Sequence, residues 1–270
     1  MAKLTPETFL LWENGAPLAN TKVPTITFYP TQQKAYDATV IIFPGGAYAC
    51  CAAHEGVGYA NFLNAFGINV FVVDYRVSPA RFPAQLLDAR RAVRFVRANA
   101  EKFGIDKDKV AVMGSSAGGH LVAFVSTYRG KIDGEGVDGI DDEDYLPSAQ
   151  ILCYPVISSD ETISHSGSYR NLLGDLYEER KDYDPSLIAD EKTPPAFLWH
   201  TANDSGVNVC NSYRYATRLR EIGVSHELHV FPDAPHGSGV GPNRPHMRQW
   251  MNLLYEWFIS IGFFAPVYLT

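Results

Sequence analysis

The stretch VAVMGSSAGGH at residues 110–120 decides the fold of this 270-residue chain. An apolar run ends at Gly114, Ser116 follows two residues later, and Gly118 follows two residues after that. The pattern G-x-S-x-G, between an apolar run and helix-forming residues, predicts a strand that turns sharply into a helix. The glycines allow so tight a turn because they carry no side chain that would obstruct it. We therefore expect Ser116 to stand at the tip of a strand with its hydroxyl presented to a ligand.

The composition restricts the class of protein. An apolar fraction of 46% in 270 residues suits one large domain with a sizeable core. The net charge of -7 argues against a nucleic acid or an anionic membrane as a partner. We find no signal-peptide pattern and no run of the ~18 apolar residues that a membrane span requires. The four cysteines do not have the pattern of a disulfide framework, so we expect a reduced, cytoplasmic protein.

Strand and helix patterns alternate along the chain. Continuous apolar runs are typical of strands that are buried on both faces, and shorter β-like pieces before residue 30 predict antiparallel edge strands. The main predicted strands are residues 38–43, 68–73, 109–113, 149–154, 195–201 and 225–231. The main predicted helices are residues 58–66, 83–100, 209–222 and 247–259. This alternation predicts a mostly parallel central sheet flanked by helices, in a single domain over residues 1–270.

Two segments do not fit the alternation. Residues 130–144 are rich in Gly, Asp and Glu, but they lack the ordered spacing of a calcium loop, so we predict a mobile surface loop. Residues 158–192 are polar and irregular, with one short helix predicted at 169–173. This segment is too short for a separate domain, yet it is long enough to cover a site partly, as a lid-like insertion.

Three arginines lie on one face of the helix predicted at residues 83–100. Arg90, Arg94 and Arg97 fall opposite the apolar positions of that helix. An anion site is one interpretation, but arginines on the outer side of an amphipathic helix are usually solvated. We therefore predict a solvated face.

The chemistry that Ser116 requires predicts its partners. A serine hydroxyl is a weak nucleophile until a histidine takes its proton, and a carboxylate orients that histidine. When the serine lies in such a turn, the acid and then the histidine follow on loops at the carboxyl ends of later strands. Asp204 and His236 follow the last two predicted strands. We predict Ser116, Asp204 and His236 as the catalytic residues, with Asp160 as the rival acid and a helix N-cap as the alternative role of Asp204.

The other histidines are weaker candidates. His120 lies four residues after Ser116, so its side chain falls one helical turn along, beside the hydroxyl rather than before it, and we expect a supporting role. His226 and His229 have an odd offset and would lie on opposite faces of a strand. The chain also lacks the glycine patterns that bind phosphates or dinucleotides. We therefore expect neither a metal ion nor a cofactor.

The sequence PGGAY at residues 44–48 follows the first strand of the main sheet. Attack on a carbonyl develops an oxyanion, which backbone N–H groups can stabilise. We predict Ala117 as one donor and Gly45 or Gly46 as the other, because glycines let a backbone approach the reacting carbonyl closely. A plain turn is the alternative. Tyr48 is a candidate substrate contact, with a place in the core as its alternative.

These motifs together resemble the bacterial α/β-hydrolase esterases of the acetyl esterase type, which are related to carbohydrate-deacetylating esterases. The pieces that carry the resemblance are PGGAY (44–48), EG (55–56), DYR (74–76), GSSAGGH (114–120), PPAFLWHT (194–201), Asp204 and His236. The resemblance implies an α/β-hydrolase fold with no large cap domain. It also implies a metal-independent serine esterase that removes acetyl groups from plant-polysaccharide fragments. Pro44 and Ala47 depart from the His and Gly of the related lipase group.

We therefore expect a serine carboxylic ester hydrolase whose partner is a small ester, such as an acetylated oligosaccharide. Ser116 would form an acyl-enzyme, with His236 as base and then acid and with Asp204 orienting it. An amide hydrolase of the arylformamidase type and a peptidase are alternatives, because the same triad serves all of them. A non-catalytic binding module is the third alternative, against which the retained serine, histidine and glycines argue.

Overall fold

The computed structural model describes residues 5–18 and 22–264, and their strands form one eight-stranded sheet. The strands are β1 (Glu7–Leu10), β2 (Thr25–Tyr29), β3 (Thr39–Phe43), β4 (Asn69–Asp74), β5 (Val110–Ser115), β6 (Ala149–Cys153), β7 (Ala196–Thr201) and β8 (His226–Phe231). Their order across the sheet is β1-β2-β4-β3-β5-β6-β7-β8. The pairs β1–β2 and β2–β4 are antiparallel and every other pair is parallel. The predicted, mostly parallel sheet with antiparallel edge strands is confirmed.

Helices cover both faces of this sheet. They are α1 (His54–Ala65), α2 (Ala84–Ala98), α3 (Ala100–Phe103), α4 (Ala117–Thr127), α5 (Ser166–Leu173), α6 (Pro185–Ile188), α7 (Cys210–Glu221) and α8 (Gln249–Ser260). Successive residues of a strand point to opposite faces, as Ile41 and Ile42 of β3 show. Ile41 belongs to the core cluster that α2 and α4 complete, and Ile42 belongs to the cluster that α1 and α8 complete. Continuous apolar strands are thus buried from both sides.

Helix α1 begins at His54, four residues before the predicted start. The prediction was late because Gly56 and Gly58 lower the helix propensity of the first turns. Packing explains why a glycine occupies position 56, since a Cβ there would lie 2.9 Å from a side-chain carbon of Val72. The helix is therefore held close to β4 by the absence of a side chain, which local propensity does not reveal.

The arginine face of α2 is not solvated, contrary to the prediction. The side chains of Arg90, Arg94 and Arg97 are only 2%, 12% and 10% exposed. Glu135 accepts hydrogen bonds from both Arg90 and Arg94, at 3.0 Å each. The acidic segment 130–144 thus lies against α2 rather than free on the surface, and it includes a 3₁₀ turn at Gly139–Asp142.

The segment 158–192 contains more helix than the sequence indicated. It carries α5, a 3₁₀ stretch at Gly174–Tyr183, and α6. Asn171 of α5 donates a side-chain hydrogen bond to the carbonyl of Ala47 at 2.9 Å. The insertion therefore contacts the loop after β3. Residues 1–4, 19–21 and 265–270 of the predicted single domain lie outside the described residues.

Replacing Asp141 with alanine tests how much the acidic segment contributes to stability. One oxygen of Asp141 accepts from Arg91 at 3.1 Å, and the other accepts from the N–H groups of Gly136 and Val137. Because these donors lose their acceptor, we expect Asp141→Ala to lower the free energy of unfolding by about 2 kcal/mol in urea titrations. Asp142→Ala is the matched control, since Asp142 is exposed and carries the same charge. Equal losses in the two variants would contradict this account.

Candidate active site

Ser116 lies in a strained turn between β5 and α4. Its φ of 52° and ψ of -119° place it in a region that side-chain-bearing residues rarely adopt. Such strain costs on the order of 1–3 kcal/mol and persists only where the surroundings enforce it. Here the N–H of Ser116 donates to the carbonyl of Cys153, and its carbonyl accepts from Val156, both at 3.0 Å. The neighbouring strand β6 and the residues after it therefore hold the turn.

The two glycines of the motif are required by close backbone contacts. A Cβ at Gly114 would lie 2.2 Å from the carbonyl oxygen of Gly118, and a Cβ at Gly118 would lie 2.1 Å from that of Phe43. Any side chain at either position would collide with backbone. The first turn of α4 is consequently packed against the end of β3, where the loop at residues 44–48 begins.

The structure brings the three predicted catalytic residues together. Nε2 of His236 lies 2.9 Å from Oγ of Ser116, and Nδ1 of His236 lies 2.8 Å from Oδ2 of Asp204. With the proton on Nδ1, the ring donates to the carboxylate and can accept the serine proton at Nε2. Asp204 follows β7 and His236 follows β8, so the carboxyl ends of neighbouring parallel strands carry both groups to the serine.

Asp204 is held by more than the histidine. Its Oδ1 accepts from the N–H groups of Gly206 and Val207 at 2.8 and 2.9 Å, so it also stabilises its own turn. Burial raises the pKa of Asp204, but hydrogen bonds from His200, His236 and Val207 outweigh that effect and lower it overall. The carboxyl group is therefore ionised throughout the neutral range.

His200 is a contact of Asp204 that the sequence interpretation did not include. Its Nε2 lies 3.3 Å from Oδ2 of Asp204, and its side chain is fully buried. The rival acid, Asp160, is occupied elsewhere, since it accepts from Arg214 at 2.5 Å and from Thr162 at 2.7 Å. His200 lies only four residues before Asp204, and this short spacing was the one sequence signal for the contact. The position of His200 inside a strand, however, gave no reason to expect that its side chain reaches Asp204.

The loop at residues 44–48 supplies backbone donors beside Ser116, with one correction. The N–H of Gly45 donates to Oε2 of Glu55 at 2.8 Å, so Gly45 is not available to an oxyanion and that prediction is wrong. Within the described residues, the N–H groups of Gly46, Ala47 and Ala117 have no protein acceptor. These three groups are the candidates for an oxyanion site, and Ala47 is the one that the sequence interpretation missed.

Tyr48 does not face a substrate cleft, contrary to the expectation. Its side chain is fully buried, and its hydroxyl lies 2.8 Å from Nδ1 of His120. The Nε2 of His120 donates to the carbonyl of Tyr183 at 3.0 Å, so the ring accepts from the Tyr48 hydroxyl at its other nitrogen. His120 is thus a support behind the loop and not a partner of Ser116.

Among residues 5–18 and 22–264, no group of three or more His, Cys, Asp or Glu residues is placed to ligate a metal ion. In that same part of the chain, no helix combines the length and the apolar character needed to cross a membrane.

The sheet order, the turn at Ser116 and the chain order of serine, aspartate and histidine define an α/β-hydrolase. The chain belongs to the BD-FAE family, whose sequence profile matches residues 27–219. It also superimposes on an acetyl ester-xyloside bifunctional hydrolase from Caldicellulosiruptor lactoaceticus, with a TM-score of 0.88 and 39% identity. That superposition covers 96% of this chain and 97% of the other.

Sequence relatives agree with this assignment. The chain is 34% identical over 225 residues to endo-1,4-beta-xylanase B of Butyrivibrio fibrisolvens, covering 81% of this chain and 35% of that protein. It is 32% identical over 234 residues to the acetylxylan esterase of Xylanibacter ruminicola, covering 82% of this chain and 45% of that protein. The chain thus spans less than half the length of these two relatives. The likenesses confirm the fold and the resemblance to acetyl esterases that the motifs indicated.

The stability of the protein should depend on the protonation of His120. Burial lowers its pKa from 6.5 to about 4, although the Tyr183 carbonyl and Asp184 act in the opposite direction. Between these values the unfolded chain binds the proton and the folded chain does not, so acidification favours unfolding. We expect the native protein to lose about 2 kcal/mol more than His120→Gln between about pH 7.5 and 5 in urea titrations. Parallel losses in the two proteins would contradict this assignment.

Proposed function

We propose that this protein is a serine carboxylic ester hydrolase that acts through an acyl-enzyme. The observation that carries the proposal is the continuous series of contacts from Asp204 through His236 to Ser116, at 2.8 and 2.9 Å. A serine, a base and an orienting acid in this geometry suit nucleophilic attack on a carbonyl. The N–H groups of Gly46, Ala47 and Ala117, which have no acceptor among the described residues, supply donors for the charge that such an attack develops.

The chemistry follows from these positions. Oγ of Ser116 attacks the ester carbonyl while Nε2 of His236 takes its proton, and the ionised Asp204 stabilises the imidazolium. The tetrahedral intermediate collapses when His236 returns the proton to the departing alkoxide. Water then attacks the acyl-enzyme with His236 again acting as base, and the acid is released as Ser116 regains its proton. Besides the ester and the water molecule, these steps use the side chains of Ser116, His236 and Asp204 and the backbone donors.

For the substrate, we propose short acyl esters, with acetylated carbohydrate fragments as the natural class. Two proteins to which the chain is similar are named as an acetylxylan esterase and an acetyl ester-xyloside hydrolase. We propose a cytoplasmic location on the ground that all four cysteines are free thiols.

Hydrolysis of 4-nitrophenyl acetate by the native protein and by Ser116→Ala tests the nucleophile. Removing the hydroxyl that attacks the carbonyl should lower kcat by at least about 10⁴-fold. Ser115→Ala is the matched control, because the Oγ of Ser115 lies 2.9 Å from the buried hydroxyl of Tyr59, whereas Nε2 of His236 contacts Ser116. This variant should keep a nearly native kcat. Turnover that survives Ser116→Ala would refute the mechanism.

A substrate panel separates esterase activity from the amide-hydrolase and peptidase alternatives. We expect the native enzyme to release acetate from acetylated xylo-oligosaccharides and to act poorly on long-chain acyl esters, formyl-amides and peptides. The same triad can serve amides, so kcat/KM across the panel is the discriminating measurement. Higher kcat/KM for a formyl-amide than for every acetyl ester would favour the arylformamidase-like alternative.

A further inference from the structure

Glu55, the second residue of α1, places a buried carboxylate behind the loop at residues 44–48. The residue is only 3% exposed. Its Oε2 accepts from the N–H of Gly45 at 2.8 Å, and its Oε1 accepts from the hydroxyl of Tyr154 at 2.7 Å. A buried carboxylate is costly unless donors satisfy it, so its position needs an explanation. The mechanism proposed above does not use it.

Tyr154 connects this carboxylate to the loop that carries His236. The Tyr154 hydroxyl accepts from the N–H of Gly239 at 3.0 Å, and its ring packs edge-on against the ring of His236, with centroids 5.1 Å apart. Burial, and then the charge of Glu55, raise the pKa of Tyr154 well above its ordinary value. The hydroxyl therefore keeps its proton and remains a donor to Glu55.

The neighbouring residue makes a second tie between the same elements. His54 lies at the start of α1, and its Nε2 is 3.1 Å from the carbonyl of Gly237, the residue directly after His236. The first turn of α1 thus contacts both the loop after β3 and the loop after β8. The first of these loops carries the candidate donors Gly46 and Ala47, and the second carries His236, the base that contacts Ser116.

The position of Gly45 makes the placement of these donors sensitive to Glu55. A Cβ at Gly45 would lie 2.5 Å from Oε2 of Glu55 and 3.1 Å from Cβ of Ser116. Gly45 is therefore close to both the carboxylate and the serine. If the Gly45 N–H lost its acceptor, the adjoining N–H groups of Gly46 and Ala47 would shift relative to Ser116.

We propose that Glu55 is a positioning residue for the oxyanion site, which it aligns by binding the Gly45 N–H and, through Tyr154, the loop of His236. The inference rests on the proposed function and fails with it. Glu55 itself does not touch the reacting atoms. A carboxylate suits the position because both of its oxygens only accept, and both of its neighbours donate. An amide would present an NH₂ group to one of those donors.

The effect on the oxyanion site can be measured with a pair of substrates. 4-Nitrophenyl acetate forms an oxyanion, whereas its thiono analogue, with C=S in place of C=O, develops the charge on sulfur. Sulfur accepts hydrogen bonds more weakly than oxygen, so misplaced donors should harm the oxygen ester more. Because loss of one such donor costs about 10²–10³-fold, we expect Glu55→Ala to lower kcat/KM for the oxygen ester by about 10–100-fold.

The ratio of kcat/KM between the oxygen ester and the thionoester is the decisive readout. We expect the ratio to fall in Glu55→Ala and to fall less in Glu55→Gln, whose amide oxygen can still accept from Gly45. Tyr215→Phe is the matched control: it removes an equally buried tyrosine hydroxyl, which donates to Gln150 at 3.1 Å and contacts neither loop. Its ratio should equal that of the native enzyme.

Thermal unfolding of each variant shows whether the fold is retained. If Glu55→Ala does not fold, Glu55→Gln carries the test, because it keeps the size and one acceptor. A folded Glu55 variant with the native ratio of kcat/KM for the two esters would overturn the positioning role. This holds whether both kcat/KM values stay native or both fall by the same factor. A native protein that hydrolyses neither ester would instead contradict the proposed function, so the two failures are distinguishable.

Discussion

The structure of the site depends on the contact between the backbone of α4 and the end of β3. The Cα of Gly118 lies so near the carbonyl of Phe43 that no side chain fits between them. This contact brings the first N–H of α4, that of Ala117, beside the loop that follows β3. Ser116, directly before the helix, has a strained backbone with φ of 52°. Backbone hydrogen bonds maintain the strained conformation. The N–H of Ser116 donates to the carbonyl of Cys153 in β6, and the carbonyl of Ser116 accepts from the N–H of Val156, just after β6. The glycines of the motif therefore permit the turn, and its neighbours in the sheet enforce it.

The features that could be predicted from sequence are those in which a local pattern and the topology agree. The glycines at 114 and 118 report a backbone contact directly, because only glycine satisfies it. Asp204 and His236 were predictable because parallel strands bring their carboxyl ends to one edge of the sheet, so the position after a strand is informative. The apolar runs predicted the strands because burial on both faces of a sheet favours apolar residues.

The predictions that failed concern pairings between distant segments. Whether an arginine on a helix is solvated depends on what packs against it, and Glu135, which binds Arg90 and Arg94, is more than 40 residues away. Gly45 was assigned as an oxyanion donor because the pattern says nothing of a glutamate on the following helix. Tyr48 was expected to meet substrate, but the buried ring of His120 binds its hydroxyl. Hydrophobic periodicity reports burial and not the identity of a polar partner.

The buried carboxylate of Glu55 illustrates how a polar partner can fix the relative position of two loops without adding to the stability of the fold. Desolvating an ion is unfavourable, and an apolar side chain of similar size would pack at the same position at lower cost. An apolar group, however, would leave the Gly45 N–H and the Tyr154 hydroxyl without an acceptor, and each could then turn toward another group. An acceptor with two donors in fixed directions permits few arrangements of the two loops. The relative position of nucleophile, base and backbone donors is therefore set by a polar contact that the hydrophobic core cannot replace.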